Sequence, residues 1–135
     1  MEFIIKGKPL AKARPQFSSR HGKFRTYTPK TTATFENLVK LEASKHFDVP
    51  FSGPVILLIT FYLPRPQHLI WKTKPMPAVW CDKRPDLDNL AKSVLDGLNG
   101  IAYHDDGQIA SLRIEKLYQQ GNVGPETKIK IEELK

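Results

Sequence analysis

The nine residues from Val55 to Leu63, VILLITFYL, constrain this chain more than any other segment. Nearly all are apolar and β-branched or aromatic, and Gly53-Pro54 and Pro64 punctuate the two ends. A run of this length is too short to span a bilayer as a helix and has the composition of a strand. Continuous hydrophobicity, in place of alternation, predicts a central strand covered on both faces. A sheet therefore organises the domain, and the other elements must pair with this strand or cover it.

Those elements follow from punctuation and periodicity. Thr28-Pro29 reads as a helix start, with threonine as N-cap and proline at the first helical position. The helix is predicted to reach about Phe47, with Phe35, Leu38, Val39, Ala43 and Phe47 as its apolar stripe. A second helix is predicted over Leu87 to Asn99, burying Leu87, Leu90, Ala91, Val94 and Leu98 and stopping at Asn99-Gly100. Glu2 to Lys8 holds a short strand around Phe3, Ile4 and Ile5, stopped by Gly7 and Pro9. Ile109 to Gln119 and Thr127 to Glu133 read as two more strands joined by the Gly121 to Pro125 turn. Lys128 to Glu132 alternates, which gives the last strand one wet face. The expectation is an α/β chain of the α+β type. It is a two-layer β-α-β-α-β-β domain with a mixed sheet and both helices on one face. At 135 residues, positions 1–135 supply one core and not two.

Two segments resist regular structure. Lys6 to Lys30 carries eight lysines or arginines and no acid, with Phe17, Phe24 and Tyr27 among them, and Pro9, Pro15 and Ser18 to Gly22 make it irregular. Pro64 to Pro85 holds five prolines, a density that excludes regular helix or an internal strand. Lys12, Arg14, Arg20, Lys23 and Arg25 in the first segment are expected phosphate contacts, as are Lys72, Lys74, Lys83 and Arg84 in the second. Trp71 and Trp80 either pack back onto the sheet, or stack on bases or wedge between them beside a basic rim.

Net charge of +7 and a pI near 9.6 favour a polyanionic partner. The N-terminus lacks the pattern of a secretory signal, and no apolar run is long enough for a membrane helix. A single cysteine, Cys81, excludes an internal disulfide and points to a reducing compartment, so the cytoplasm is expected. No glycine-rich phosphate loop is present, so a nucleotide cofactor is not expected.

Within this basic chain, Arg84 to Ile109 concentrates five carboxylates and one lysine. Asp86 and Asp88 stand where the second helix begins, and Lys92 and Asp96 follow Asp88 at intervals of four on the same helical face. Asp105 and Asp106 come where the chain turns after the helix. Packed carboxylates repel one another, and a divalent cation is the economical remedy. Phosphodiester hydrolysis needs an activated water, neutralised phosphoryl charge and a stabilised leaving oxygen, which one or two Mg²⁺ ions on carboxylates provide. Asp86, Asp88 and one of Asp105 and Asp106 suit a hard cation. Lys92 is placed to meet the scissile phosphate. Asp96 is a fourth ligand, an outer-shell partner, or a brace for Lys92. Taken singly, each piece also has a plainer reading. Asp86 alone is an N-cap, Asp105-Asp106-Gly107 a turn, and Asp88 with Lys92 a surface ion pair. An EF-hand is excluded, since Leu90 and Gly97 would fall on ligand positions.

Asp86-Leu87-Asp88-Asn89-Leu90, Lys92, Asp96 and Asp105-Asp106 with Gln108-Ile109 together resemble the RusA family of Holliday junction resolvases. Lys12-Ala13-Arg14-Pro15 and Tyr27-Thr28-Pro29 look like that family as well, so the likeness covers essentially the whole chain. The resemblance implies a Mg²⁺-dependent, structure-selective endonuclease, with Mn²⁺ as a substitute ion. It also implies a homodimer that nicks four-way junctions symmetrically in DNA recombination and repair, and an origin in a prophage. By position it implies Asp86, Asp88 and Asp106 as metal-binding residues and Lys92 as the essential lysine, with Asp96 and Asp105 in supporting roles. Two alternatives share these features: a non-catalytic module that binds branched DNA, and a nuclease acting on flaps or forks.

Overall fold

A computed structural model describes residues 1–12, 16–18, 25–27, 30–71, 74–121 and 123–134, with the side chains of 16–18, 25–27 and 30–33 excepted. The strands are β1 (Glu2–Lys6), β2 (Gln16–Ser18), β3 (Arg25–Tyr27), β4 (Val55–Leu63), β5 (Val79–Trp80), β6 (Ile109–Tyr118) and β7 (Glu126–Glu133). The helices are α1 (Lys30–Ser44) and α2 (Leu87–Leu98). Five strands form one sheet in the order β1-β7-β4-β6-β5, and β2 pairs with β3 separately. Only β4 and β6 run parallel, and α2 is the crossover between them; the other pairs are antiparallel. The expected mixed sheet with two helices on one face is what the chain forms.

Strand β4 sits at the centre, as its composition required, but only one of its faces is covered. Val55, Leu57, Ile59, Phe61 and Leu63 are buried, whereas Ile56 between them is 39% exposed. The expectation of cover on both faces is thus corrected. Both helices lie on the same side, where Phe35, Val39 and Ala43 of α1 and Leu90, Val94 and Leu98 of α2 join the inward residues of β4 and β7 in one core. Nothing among the described residues remains to cover the other side. The apolar Ile56, Leu58 and Tyr62 therefore face outward by the strict alternation of a strand.

Helix α1 ends at Ser44, three residues before the expected stop. His46 N–H donates to the Ala43 carbonyl at 2.9 Å, so the last turn tightens and Phe47 leaves the helix to meet Phe51 edge-on at 5.2 Å. Leu38, placed in the buried stripe from sequence, is instead 44% exposed. The predicted N-cap Thr28 and Pro29 lie outside the described residues. Helix α2 falls within one residue of its predicted bounds. It approaches α1 closely because Gly97 has no side chain: a Cβ there would lie 2.7 Å from Val39 Cβ. Gly100 then takes a positive φ of 83° just beyond the helix, as a chain reversal there requires.

The basic segments are less irregular than their composition implied. The first contains the β2–β3 pair, and the second contributes β5 to the sheet edge. A two-residue strand at an edge is compatible with proline on every side. Arg65 organises the second segment. It is nearly buried, donates from Nε to the Leu69 carbonyl at 2.6 Å, and donates from Nη1 to the Pro77 and Gln119 carbonyls at 2.9 and 3.0 Å. Its guanidinium also lies 5.1 Å from the Trp71 ring. Trp71 thus packs back onto the protein, while Trp80 stands 69% exposed on β5.

Candidate active site

The acidic residues are arranged along α2 and the turn that follows it. Asp86 occupies the N-cap position of α2 with extended backbone, yet its side chain makes no capping hydrogen bond. The plain N-cap reading therefore does not account for this carboxylate. Asp88 is exposed in the first turn. Lys92 and Asp96 follow on the same face, each about 6 Å further along the axis at 1.5 Å per residue. Lys92 is exposed, with no hydrogen bond or ion pair among the described residues.

Asp105 and Asp106 differ sharply in what they do. Asp105 caps the single 3₁₀ turn Asp106–Gln108: its Oδ2 accepts from Gly107 N–H at 3.0 Å. The Gln108 side chain closes the turn reciprocally. Its Oε1 accepts from His104 and Asp105 N–H at 2.7 and 3.0 Å, and its Nε2 donates to the Phe51 and Gly53 carbonyls at 2.8 and 3.0 Å. The carboxylate of Asp105 is thereby used in fixing the turn. That of Asp106 is exposed and makes no hydrogen bond among the described residues.

Tyr103 links this turn to α2. It is fully buried, and its hydroxyl donates to the Leu95 carbonyl at 2.8 Å. Burial pushes its pKa far above the ordinary phenol value, and the nearby charges of Asp106, Asp96 and Asp105 push it further. Asp96, Asp105 and Asp106 therefore lie toward the C-terminal end of α2. Asp86 and Asp88 lie at the other end, some 12 Å away by helix rise between Asp88 and Asp96. Among the described residues, no three His, Cys, Asp or Glu side chains are close enough to hold one metal ion. The donors thus suit a hard cation in kind, being oxygen ligands, but they stand in two groups and not in one cage.

Two lysines hold this arrangement in place, and neither role was readable beforehand. Lys12, expected as a phosphate contact, has its ammonium committed to protein carboxylates. Its Nζ pairs with Glu36 and lies 3.3 Å from Asp96, and its N–H donates to the Asn89 carbonyl at 2.8 Å. Burial alone would lower its pKa, but the Glu36 and Asp96 carboxylates outweigh that and raise it. Asp96 is therefore braced by Lys12, and not by Lys92. Lys116 on β6 donates from Nζ to the Lys83 carbonyl and, at 2.8 Å, to that of Pro85, clamping the chain just before Asp86. No local pattern marks either lysine, since the partners come from distant parts of the sequence.

Lys83 and Arg84 are exposed on that clamped lead-in, beside the acidic cluster. Lys74 is exposed with its Nζ 5.6 Å from the Trp71 ring. Arg14, Arg20, Lys23 and Lys72 lie outside the described residues, as does the side chain of Arg25. No helix among the described residues is long and apolar enough to cross a membrane.

Comparison with known proteins places these features in a family. The profile of the family described as Endodeoxyribonuclease RusA matches residues 6–132. The chain is 32% identical over 126 residues to the uncharacterized protein YqaN of Bacillus subtilis (strain 168), covering 89% of each. It is 27% identical over 125 residues to the crossover junction endodeoxyribonuclease rusA of Lactococcus phage r1t, covering 90% of this chain and 89% of the phage protein. With the acidic helix, the following Asp-Asp turn and both basic segments all inside the matched span, the chain belongs to the RusA endodeoxyribonuclease family.

Proposed function

We propose that this protein is a Mg²⁺-dependent endonuclease that resolves four-way DNA junctions as a homodimer. It makes paired symmetric nicks during recombination and repair in the cytoplasm, and Mn²⁺ is able to substitute. One observation carries the reading. Within a span matched by the family from end to end, the side chains of Asp86, Asp88, Lys92 and Asp106 make no hydrogen bond or ion pair among the described residues. Exposed carboxylates and an ammonium without protein partners are free to engage a cation and a phosphate, and the charge of +7 suits a polyanionic substrate. The phage relative, named as a crossover junction enzyme, supports the junction as substrate and a phage-derived origin.

In this reading Asp86 and Asp88 at the start of α2 and Asp106 beyond its other end are the metal-binding residues; they do not form one cage within the single chain, and an ion held by them would supply charge neutralisation and an activated water. The protein's own contributions are positional and electrostatic. Lys92 presents an ammonium, with no competing carboxylate among the described residues, to the negative charge that grows on the phosphoryl group. Lys12 neutralises Asp96, so this acid does not compete for Lys92. Lys83 and Arg84 meet backbone phosphates next to the site, and Lys116 fixes the segment that carries them. Arg14, Arg20, Lys23, Arg25, Lys72 and Lys74 extend the phosphate-binding surface along the arms. A junction has two-fold symmetry, and a two-fold dimer offers two equivalent sites for its paired cuts.

The test compares incision of a synthetic immobile four-way junction, a replication fork and linear duplex, with Mg²⁺ and with chelator. The expected result is Mg²⁺-dependent nicking of the junction at symmetric positions on opposing strands, well above the other two. Equal cutting of all three substrates would remove the junction claim, and undiminished cutting in chelator would remove the metal claim.

A further inference from the structure

The connection from β4 to α2, Pro64 to Pro85, has no regular element among the described residues apart from one 3₁₀ turn (Gln67–Leu69) and β5. Most of its backbone groups therefore have no helix or sheet ladder to hold them. Yet the segment carries the exposed cations Lys74, Lys83 and Arg84, and it delivers the chain to Asp86. A loosely held loop of this kind would sample many shapes, and a DNA backbone would have to select one of them at an entropic cost.

Arg65 removes that freedom. It is 8% exposed, and its planar fork donates from Nε to the Leu69 carbonyl and from Nη1 to those of Pro77 and Gln119. The three acceptors belong to separate stretches: the end of the 3₁₀ turn, the approach to β5 and the residue just past β6. A guanidinium joins them at once because its donors point in fixed, divergent directions, which an ammonium does not reproduce. Trp71 carries the anchor outward, since its ring centroid lies 5.1 Å from Arg65 Cζ and 5.6 Å from Lys74 Nζ. Met76 secures the same stretch: its carbonyl accepts from Gly121 N–H at 2.8 Å and its sulfur from Trp71 N–H at 3.3 Å. Glycine permits that approach, because a Cβ at position 121 would stand 2.6 Å from Met76 Cβ.

Two features separate Arg65 from ordinary packing. Its hydrogen bonds go to carbonyls and not to a carboxylate, and Nη2 has no partner among the described residues. A buried cation held in this way costs more than an apolar side chain of similar size, so filling space does not account for it. Nor does it serve as a phosphate contact, since it is buried and its Nε and Nη1 are already engaged.

We propose that Arg65 is a positioning residue for junction binding. It holds the β4–α2 connection in one shape, so that Lys74, Lys83 and Arg84 meet phosphates without first ordering the chain. It acts on affinity and leaves the cutting step to α2. Lys116 does the complementary work nearer the site, where it holds the Lys83 and Pro85 carbonyls. This role rests on the nuclease reading for its substrate and deepens it.

The experiment measures KM and kcat for nicking of the immobile four-way junction, and Kd for the same labelled junction in chelator. It compares the parent with Arg65→Lys, Arg65→Gln and Gly121→Ala, with thermal melts to verify folding. Arg65→Lys keeps the charge and loses the fork, whereas Gly121→Ala alters no charge and pushes Met76 away. All three are expected to raise KM and Kd roughly tenfold, as loss of preorganisation does, with kcat within about twofold of the parent. Parent affinity with lysine and a loss only with glutamine would make Arg65 a charge contact and overturn the proposal. Unchanged affinity in all three variants overturns it, as does a loss of kcat with KM intact. Gly121→Ala spares the buried guanidinium, so where the Arg65 variants do not fold its parent-like KM alone overturns the proposal. The chelator arm separates the two levels: a parent that binds the junction and never nicks it removes the nuclease reading, while the Kd values still test Arg65.

Discussion

Gly97→Ala tests whether the close approach of the two helices is a real constraint on α2. The added Cβ would lie 2.7 Å from Val39 Cβ, 2.8 Å from Val39 Cγ1 and 3.1 Å from the Glu36 carbonyl oxygen. Carbon atoms pack best at about 3.5–4.0 Å, so α1 must retreat by about 1 Å. Neither neighbour yields easily, because one is the branch point of a fully buried valine and the other is backbone. Overpacking of this kind costs about 1–3 kcal/mol, while replacing glycine inside a helix returns about 1 kcal/mol. The net expectation is a loss of about 1 kcal/mol, within a range of about 0–2, or roughly 3–5 °C in Tm for a domain of this size. Scanning calorimetry or urea melts of parent and variant read this directly. The argument fails if alanine leaves Tm unchanged or raises it, since propensity would then outweigh the contact.

Other expectations follow from the same contacts. Lys12→Met removes the cation shared by Glu36 and Asp96 and should cost about 1–2 kcal/mol, between the values for exposed and buried pairs. The folded pKa of Lys12 lies above its ordinary 10.5, so its contribution is complete below that pH and is lost as pH rises through the higher value. Urea melts should therefore show a constant gap between parent and variant from pH 6 to 9 and a narrower one at pH 11; a gap equally wide at pH 11 contradicts the pairing. Tyr103→Phe removes one buried hydrogen bond, at a cost of about 1 kcal/mol, and Leu95 keeps the Asn99 N–H as a donor at 3.1 Å. Because the phenol is held protonated in the folded state, parent stability should fall as pH climbs above 10, and the phenylalanine variant should fall less steeply. Identical alkaline slopes would count against a phenol held protonated by burial. Lys116→Met frees the segment before Asp86, so nicking should drop on the order of tenfold to hundredfold while Tm moves little; unchanged nicking would remove Lys116 as a positioning residue.

What the sequence disclosed and what it concealed have separate physical causes. The bounds of β4 and α2 were legible because punctuation frames them: Gly53-Pro54 and Pro64 in one case, Pro85 and Asn99-Gly100 in the other. The family was legible because Asp86, Asp88, Lys92, Asp96 and Asp105-Asp106 occur in combination. The bare face of β4 was not. An apolar outward residue such as Ile56 looks the same in sequence whether a helix, a second chain or water meets it. Leu38 misled for the same reason. Lys12 read as one more cation in a basic run because its carboxylate partners lie far along the chain, on two helices that only packing brings together. Strands β2, β3 and β5 are two or three residues long, too short for any periodicity to register. Asp105 and Asp106 were separable only through geometry, since the capping role of Asp105 depends on where Gln108 and Gly107 fall around one turn.

The central claim is that the unpartnered carboxylates of α2 and the following turn carry out the cutting. The most direct measurement compares parent and Asp88→Asn for Mg²⁺-dependent incision and for binding of the same labelled four-way junction. Asparagine keeps the size of the side chain and removes its charge from an exposed position, so the fold should be unaffected. The account predicts that incision falls by at least a hundredfold, on the order of losses seen for essential polar groups in active sites, while junction affinity is retained or increased. An asparagine variant that nicks the junction as fast as the parent would contradict it.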